Sequence, residues 1–194
     1  MFFKQDRRRY RGSIDKARPT FKTRAGQKLQ MRLLQPADAP LLLDLFHRLS
    51  PETQRRRFHG NVGSLSDDVL AAAAQELADV DNRTAQGAVV ASLRNAQGVE
   101  ELVGVARLAR PLHALDSPIA DAAIVVRDDL QGQGVGTELL RRMVLLAKQM
   151  GLRTIRAVFT SYNESAIQLF RDLRLPYTID IEHGETEMQL EVPQ

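Results

Sequence analysis

The sequence predicts an α+β fold: a mixed, mostly antiparallel sheet of about seven strands with helices on both faces. Three observations predict it. Apolar residues recur at a spacing of two in some stretches and three to four in others, so strands and helices are interleaved along the chain. Three strand-like runs, "GAVVASL", "ELVGVARLA" and "DAAIVV", follow one another with no helix between them, as in a meander. A glycine-rich turn, "QGQGVG", then leads from the last of these into a long amphipathic stretch.

Each element has its own warrant. Near Leu29 the texture changes from polar and basic to alternating apolar, and "LQMRLLQPAD" reads as the first strand. Asp38 followed by Pro40 signals a helix start, after which Leu41, Leu42, Leu45, Phe46 and Leu49 recur at helical spacing. In "SPET", Ser50 is placed to cap a second helix and Pro51 to open it. "SDDVLAAAAQEL" makes a third, with Asp67 and Asp68 near the positive end of its dipole. "NAQG", Asn95 to Gly98, turns the first strand of the meander into the second. The long helix is followed by a strand at "RTIRAVFT", a helix at "NESAIQLFRDL", and two closing strands, "YTIDIE" and "TEMQLEV", that turn at His183-Gly184.

A chain of 194 residues with 43% apolar content buries one good core. We expect a single domain over 29–194, preceded by a basic arm over 1–28 that is free to flex. That arm holds ten Lys/Arg against two Asp, a net of +8, which leaves −5 for the remainder of a chain whose total is +3. It could bind nucleic acid or an acidic partner electrostatically. No aromatic platform or recognition helix accompanies the charge, so a solvated arm is the reading taken. No apolar run reaches the roughly 18–20 residues of a membrane span, and the expectation is a soluble, cytoplasmic protein without a membrane partner. Cysteine is absent, which excludes disulfides, thiolate metal sites and a cysteine nucleophile. The four histidines stand far apart without ligand spacing, so no metal is expected.

The glycine-rich turn carries the chemistry. A helix start leaves its first amides unpaired and bears partial positive charge, and glycine lets an oxyanion approach the backbone closely. Amides from Gln133 to Thr137 would converge in front of a helix beginning near Gly134, a nest sized for a pyrophosphate. The turn lacks the Gly-Lys-Ser/Thr of a P-loop, and Thr137 stands where the dinucleotide fingerprint requires Gly or Ala.

With these residues in view, the chain resembles the GNAT superfamily of acyl-CoA-dependent N-acetyltransferases. Gln131, Gly134 and Gly136 match its Gln/Arg-x-x-Gly-x-Gly/Ala signature, and Asn163, Ala166, Leu169 and Phe170 match the Asn-x-x-Ala-x-x-Leu-Tyr/Phe of the next strand-to-helix step. The resemblance spans roughly residues 29–192 and within the superfamily is nearest to the bacterial protein lysine acetyltransferase domain. It implies a splay between the fourth and fifth strands and acetyl-CoA as co-substrate. Backbone groups of Ile124, Val125, Val126 and Arg127 would meet the pantetheine arm. Gln131, Gly132, Gln133, Gly134, Val135, Gly136 and Thr137 would hold the pyrophosphate, with Asn163, Ser165 and Phe170 along the arm or the adenosine end.

The implied reaction is acetyl transfer to a primary amine, a protein lysine first and a small amine second, by direct attack in a ternary complex. A lysine of pKa near 10.4 is neutral only about once in 10³ at pH 7, so a base is needed. Asp121 stands where the lysine acetyltransferases carry glutamate and would act through a water; Glu101 is the competitor. An amide near Val125 or Val126 would meet the oxyanion. Phe170 replaces the tyrosine with which many relatives protonate the leaving thiolate, and Tyr162 is close in sequence. Hence the alternative of a non-catalytic acyl-CoA-sensing domain.

Overall fold

A computed structural model describes residues 10, 12–58 and 65–194. Its strands are β1 (Thr20–Lys22), β2 (Lys28–Leu33), β3 (Gln86–Arg94), β4 (Glu100–Ala109), β5 (Ile119–Val126), β6 (Thr154–Thr160), β7 (Tyr177–Glu182) and β8 (Glu185–Glu191). They form one sheet in the order β1-β2-β3-β4-β5-β6-β8-β7, in which β5 and β6 alone run parallel. The helices are α1 (Ala39–His47), α2 (Pro51–Phe58), α3 (Asp67–Ala78), α4 (Val135–Gln149) and α5 (Glu164–Arg171). The α+β class expected from the sequence is the observed one.

Two cores sandwich the sheet. On one face α4 buries Leu139, Leu140, Met143, Val144 and Leu146 against Val89, Val103, Leu108 and Ile155. On the other, Leu42 and Leu45 of α1 and Ala74 and Ala78 of α3 cover Val90, Leu102 and Val125. Strands β3 and β4 are therefore covered on both sides, which explains why their runs in the sequence are nearly continuous in apolar residues. Within the apolar stripe of α4, Arg142 is only 3% exposed. It is satisfied by Glu138 at 2.7 Å and by the Arg18 carbonyl at 2.6 Å.

Two expectations need correction. The boundary at residue 29 falls inside a hairpin, because β1 pairs with β2 and raises the strand count from about seven to eight. Most of the described part of the basic arm is fixed in the domain: Ile14 is buried, and the buried Tyr10 hydroxyl donates to the Leu173 carbonyl at 2.8 Å. Asp38 precedes α1 but does not cap it with its side chain. Its carboxylate instead takes both guanidinium nitrogens of Arg32, at 2.6 and 2.8 Å, and the Gln35 amide at 2.8 Å. Charge-assisted bonds to a planar fork outweigh one capping bond. The turn at His183-Gly184 has φ of 50° and 82°, the paired positive angles that let a two-residue loop follow the strand twist. No helix among the described residues is long and apolar enough to cross a membrane.

Candidate active site

The groove begins with a failure of pairing. β5 matches β4 over six residue pairs but meets β6 over three, Ile119–Thr154, Ala120–Ile155 and Asp121–Arg156. β6 keeps its partner β8 along all seven of its residues, so strand twist carries β5 and β6 apart beyond Asp121.

Register decides which backbone groups face the gap. The Arg127 amide donates to the Val103 carbonyl at 2.8 Å, continuing the ladder from the pair Gly104–Val126. Hydrogen-bonded pairs alternate in an antiparallel ladder. Ala123 and Val125 therefore spend their polar groups on β4, while Ala122, Ile124 and Val126 turn theirs toward the gap. The Gln131 side chain donates to one of these, the Val126 carbonyl, at 3.0 Å.

The turn after β5 is braced from three sides. Leu130 is buried beneath it. Asp128 receives the Ser50 amide at 2.9 Å and the hydroxyls of Ser50 and Thr53, both at 2.7 Å, which ties the start of α2 to the turn. Burial opposes the Asp128 charge, yet the Ser50 amide and the two hydroxyls hold its carboxyl below the usual range. From the loop after β1, Arg24 donates its amide to the Gln133 carbonyl at 3.1 Å and its guanidinium to the Gly132 carbonyl at 2.9 Å.

At the head of α4, Gly134 is the N-cap with φ 86° and ψ 0°, a left-handed conformation that costs other residues about 1–2 kcal/mol. The first helical bond here runs from the Glu138 amide to the Gly134 carbonyl at 3.1 Å. Among the described residues, the amides of Gly132 through Thr137 have no hydrogen-bond partner in the protein. Gly136 serves packing: a Cβ there would lie 3.2 Å from Leu169, so its absence lets α5 close against α4.

The resulting cavity, about 720 Å³, runs from this turn along the β5–β6 gap to Asp121. Of the residues expected for the coenzyme, Val125, Val126, Gln131, Gly132, Gly134, Gly136, Thr137, Asn163, Ser165 and Phe170 line it. Gln133, Val135 and Arg127 do not. Val135 packs into the core, and the Gln133 side chain donates to the Asp129 carbonyl at 3.2 Å. Arg127 is turned away, bound to Asp129 at 2.7 and 2.9 Å and to Glu101 at 3.2 Å. At α5, Asn163 accepts the Ala166 amide at 3.2 Å and the Ser165 hydroxyl at 2.9 Å, fixing the cap that borders the gap.

The two candidate bases part company. Asp121 lines the cavity, half exposed, with both oxygens on Arg156 at 2.5 and 3.0 Å. Glu101 does not line it. The Glu101 carboxylate takes Asn95 at 2.8 Å, Arg48 at 3.0 Å and Arg127 at 3.2 Å. The Asn95 bond above all, against burial and with help from Arg127 and Arg48, holds its carboxyl below the usual range, which suits an anchor rather than a proton acceptor. Tyr162 is 86% exposed and outside the cavity, and none of the three tyrosines lines it.

Sequence reasoning missed Arg24, Thr53, Arg56, Arg57 and Arg156, all of which line the cavity. For Arg24 the signal was present: "TFKTRAGQKLQM" alternates on both sides of a glycine turn, as a hairpin does. The α2 residues and Arg156 had no such marker, because only the fold brings them beside β5.

A groove between two splayed strands, ending in unpaired amides at a helix start, fits a long co-substrate with a phosphate head. Fold and groove together define an acyl-CoA-dependent transferase. The chain belongs to the GNAT family of acetyltransferases, whose model matches residues 50–173, more than half of its length. An acetyltransferase of Pseudomonas aeruginosa is 26% identical over 140 residues, covering 72% of this chain and 70% of that protein. The L-methionine sulfoximine/L-methionine sulfone acetyltransferase of the same organism is 29% identical over 116 residues, covering 59% of this chain and 66% of its own. Among solved structures, the GNAT domain of S. lividans PAT superposes with a TM-score of 0.73 at 23% identity, covering 89% of this chain and 95% of that one. YncA of Salmonella typhimurium, solved with its cofactor acetyl-CoA, gives 0.59 at 20% identity over 84% and 94%. The protein is thus an acetyl-CoA-dependent acetyltransferase.

Proposed function

We propose that the protein transfers an acetyl group from acetyl-CoA to a primary amine by direct attack in a ternary complex. The observation that carries this reading is continuity: among the residues with unpartnered amides at the head of α4, Gly132, Gly134, Gly136 and Thr137 line the cavity that continues into the gap beside β5. Amides of Gly132 to Thr137, with the Arg24 guanidinium, receive the two phosphates. Backbone groups of Ala122, Ile124 and Val126 meet the amide-bearing arm, and Asn163 and Ser165 border it. Bound there, acetyl-CoA supplies an activated acyl group.

The Val125 amide faces β4, so of the two amides expected for the oxyanion the reading keeps Val126 and adds Ile124, its neighbour on the same edge. Asp121 accepts the amine proton through a water. A carboxylate offers about four lone-pair positions, and Arg156 occupies only two, leaving room for that water. Phe170 packs against Phe159 at 6.0 Å between ring centres and has no proton to give, so the thiolate leaves without a tyrosine donor. Of the two acceptors expected, a small amine is favoured, because a relative from Pseudomonas aeruginosa is an acetyltransferase of small molecules, L-methionine sulfoximine and L-methionine sulfone. A protein lysine is the second reading, supported by Asp121 at the position where the lysine acetyltransferases it resembles carry glutamate.

The test is thiol release from acetyl-CoA in the presence of small amines, polyamines and lysine peptides. Amine-dependent release is expected. Tight acetyl-CoA binding with no release on any acceptor would overturn the enzyme in favour of the sensor.

A further inference from the structure

We infer that the protein has a second ligand site, a basic cavity between α4 and the segment leading into β1, and that this site takes a small phosphate-bearing anion. It is separate from the acetyl-CoA groove and lies outside the acetyl-transfer chemistry.

The cavity measures about 310 Å³, at the low end of the range that holds small-molecule ligands. It shares no lining residue with the groove. One wall is the segment from Gly12 to Thr20, and the other is a stripe of α4 running from Glu138 to Leu145. Both walls are fixed. Ile14 packs into the core, and Arg142 of α4 donates from Nη2 to the Arg18 carbonyl at 2.6 Å. Four cations, Lys16, Arg18, Arg141 and Arg142, line the space against a single acid, Glu138, a net of +3.

Glu138 cannot neutralise them all. One of its oxygens takes Arg141 at 2.9 Å and Arg142 at 2.7 Å, and the other takes Arg141 at 2.8 Å. These bonds use three of the about four lone-pair positions of a carboxylate. Burial opposes the Glu138 charge, yet Arg141 and Arg142 hold its carboxyl below the usual range, so the surplus of cations stands at neutral pH. Lys16 and Arg18 have no carboxylate partner among the described residues. Arg142 is only 3% exposed, yet it bonds through Nε and Nη2 alone. Its Nη1 has no acceptor among the described residues. The one sealed side-chain polar atom without a partner there is Gln133 Oε1, so Nη1 is not sealed, and this cavity is the space that Arg142 lines. A buried guanidinium is costly to leave half matched, and a carboxylate shared between two of them matches each only in part.

The chemistry of the ligand follows from the donors left over. The Lys16 ammonium, the Arg18 guanidinium and Arg142 Nη1 are unclaimed, and they converge from both walls. A phosphate group brings up to two negative charges and three strong acceptor oxygens, one for each donor. A monocarboxylate answers one charge of the three and offers two oxygens in a single plane.

The experiment is a calorimetric titration of inorganic phosphate into the protein saturated with coenzyme A, which fills the cradle at α4, with ionic strength held constant by chloride. One phosphate per chain is expected to bind, about tenfold or more tighter than acetate. Lys16→Gln combined with Arg18→Gln should weaken phosphate about tenfold or more, while the coenzyme A Kd and the Tm in phosphate-free buffer stay unmoved. Both side chains are exposed, and the Arg18 carbonyl that Arg142 holds is untouched. Absence of a bound phosphate, a double variant that binds phosphate as wild type does, or acetate equal to phosphate would each overturn the inference. Phosphate that binds only without coenzyme A belongs to the cradle and overturns it too. Should coenzyme A itself fail to bind, the acetyl-transfer reading falls, and the double variant still decides the second site.

Discussion

Replacing Gly134 by alanine tests the phosphate cradle and separates its two physical components. The φ of 86° at this residue lies in the region where a Cβ costs about 1–2 kcal/mol. Space is not the obstacle, since the added Cβ would stand 3.5 Å from the Phe21 ring, an ordinary contact. The folded protein should therefore lose about 1–2 kcal/mol, roughly 2–8 °C in Tm for a chain of this size. Coenzyme affinity should suffer more, because the methyl group intrudes on amides that make charge-assisted bonds worth about 1.5–3 kcal/mol each. Loss of one such bond means a Kd for acetyl-CoA raised about 10- to 150-fold. Gly151 supplies the control: its φ is 72° and a Cβ there meets nothing within 4 Å, at the far end of α4. Gly151→Ala should carry the same thermal penalty and leave the Kd unchanged. Calorimetry with acetyl-CoA, and turnover of acetyl-pantetheine, which lacks the phosphates, complete the assay. The reasoning is refuted if Gly134→Ala binds acetyl-CoA within threefold of wild type, or if acetyl-pantetheine loses as much as acetyl-CoA does.

Four further outcomes are expected. Arg24→Ala should raise the acetyl-CoA Kd about 5- to 20-fold and weaken its salt dependence, since a phosphate contact near solvent is screened by ions; calorimetry at two ionic strengths reads it. Asp121→Asn should lower kcat by about 10²- to 10⁴-fold at neutral pH, the usual contribution of a general base, with acetyl-CoA affinity preserved; an unchanged kcat removes Asp121 from the chemistry. Glu101→Gln should cost about 1–3 kcal/mol in urea unfolding, the value of hydrogen bonds to a buried charge, while kcat moves little. Stability should be flat from pH 7 to about 5 and fall below about pH 4. Glu101 and Asp128 have folded pKa values under their unfolded ones, so their contribution is full above the unfolded values and is lost as pH falls through the folded ones. A urea midpoint unchanged down to pH 3 contradicts this.

The legible part of the fold was the part dictated by neighbours in sequence. The alternation in "GAVVASL" and "ELVGVARLA", the turn at Asn95 to Gly98 and the stripe of α4 all appear where their periods place them, because each depends on contacts within a few residues. The same holds for the placement of Gln131, Gly134 and Gly136, which follows from one strand-to-helix step. The hairpin of β1 and β2 was hidden under positive charge. Ten basic residues suggest a solvated arm, yet Lys22 and Arg24 keep their charge at the surface while Phe21 packs against the core. That Arg127 and Glu101 lie outside the cavity was hidden for a related reason: charge near a motif does not reveal whether another residue has already neutralised it.

Sequence alone therefore determined the order of strands and helices from β2 onward and the glycine turn before the long helix, and through these the resemblance to the family and its co-substrate. Only the tertiary structure decided which edge of β5 is open, which carboxylate reaches the groove, and which arginines line it. The reason is range. Backbone preference and hydrophobic period act over a few residues, whereas hydrogen-bond register and charge pairing bring Arg24 to Gly132 and Arg48 to Glu101, partners that no local pattern announces.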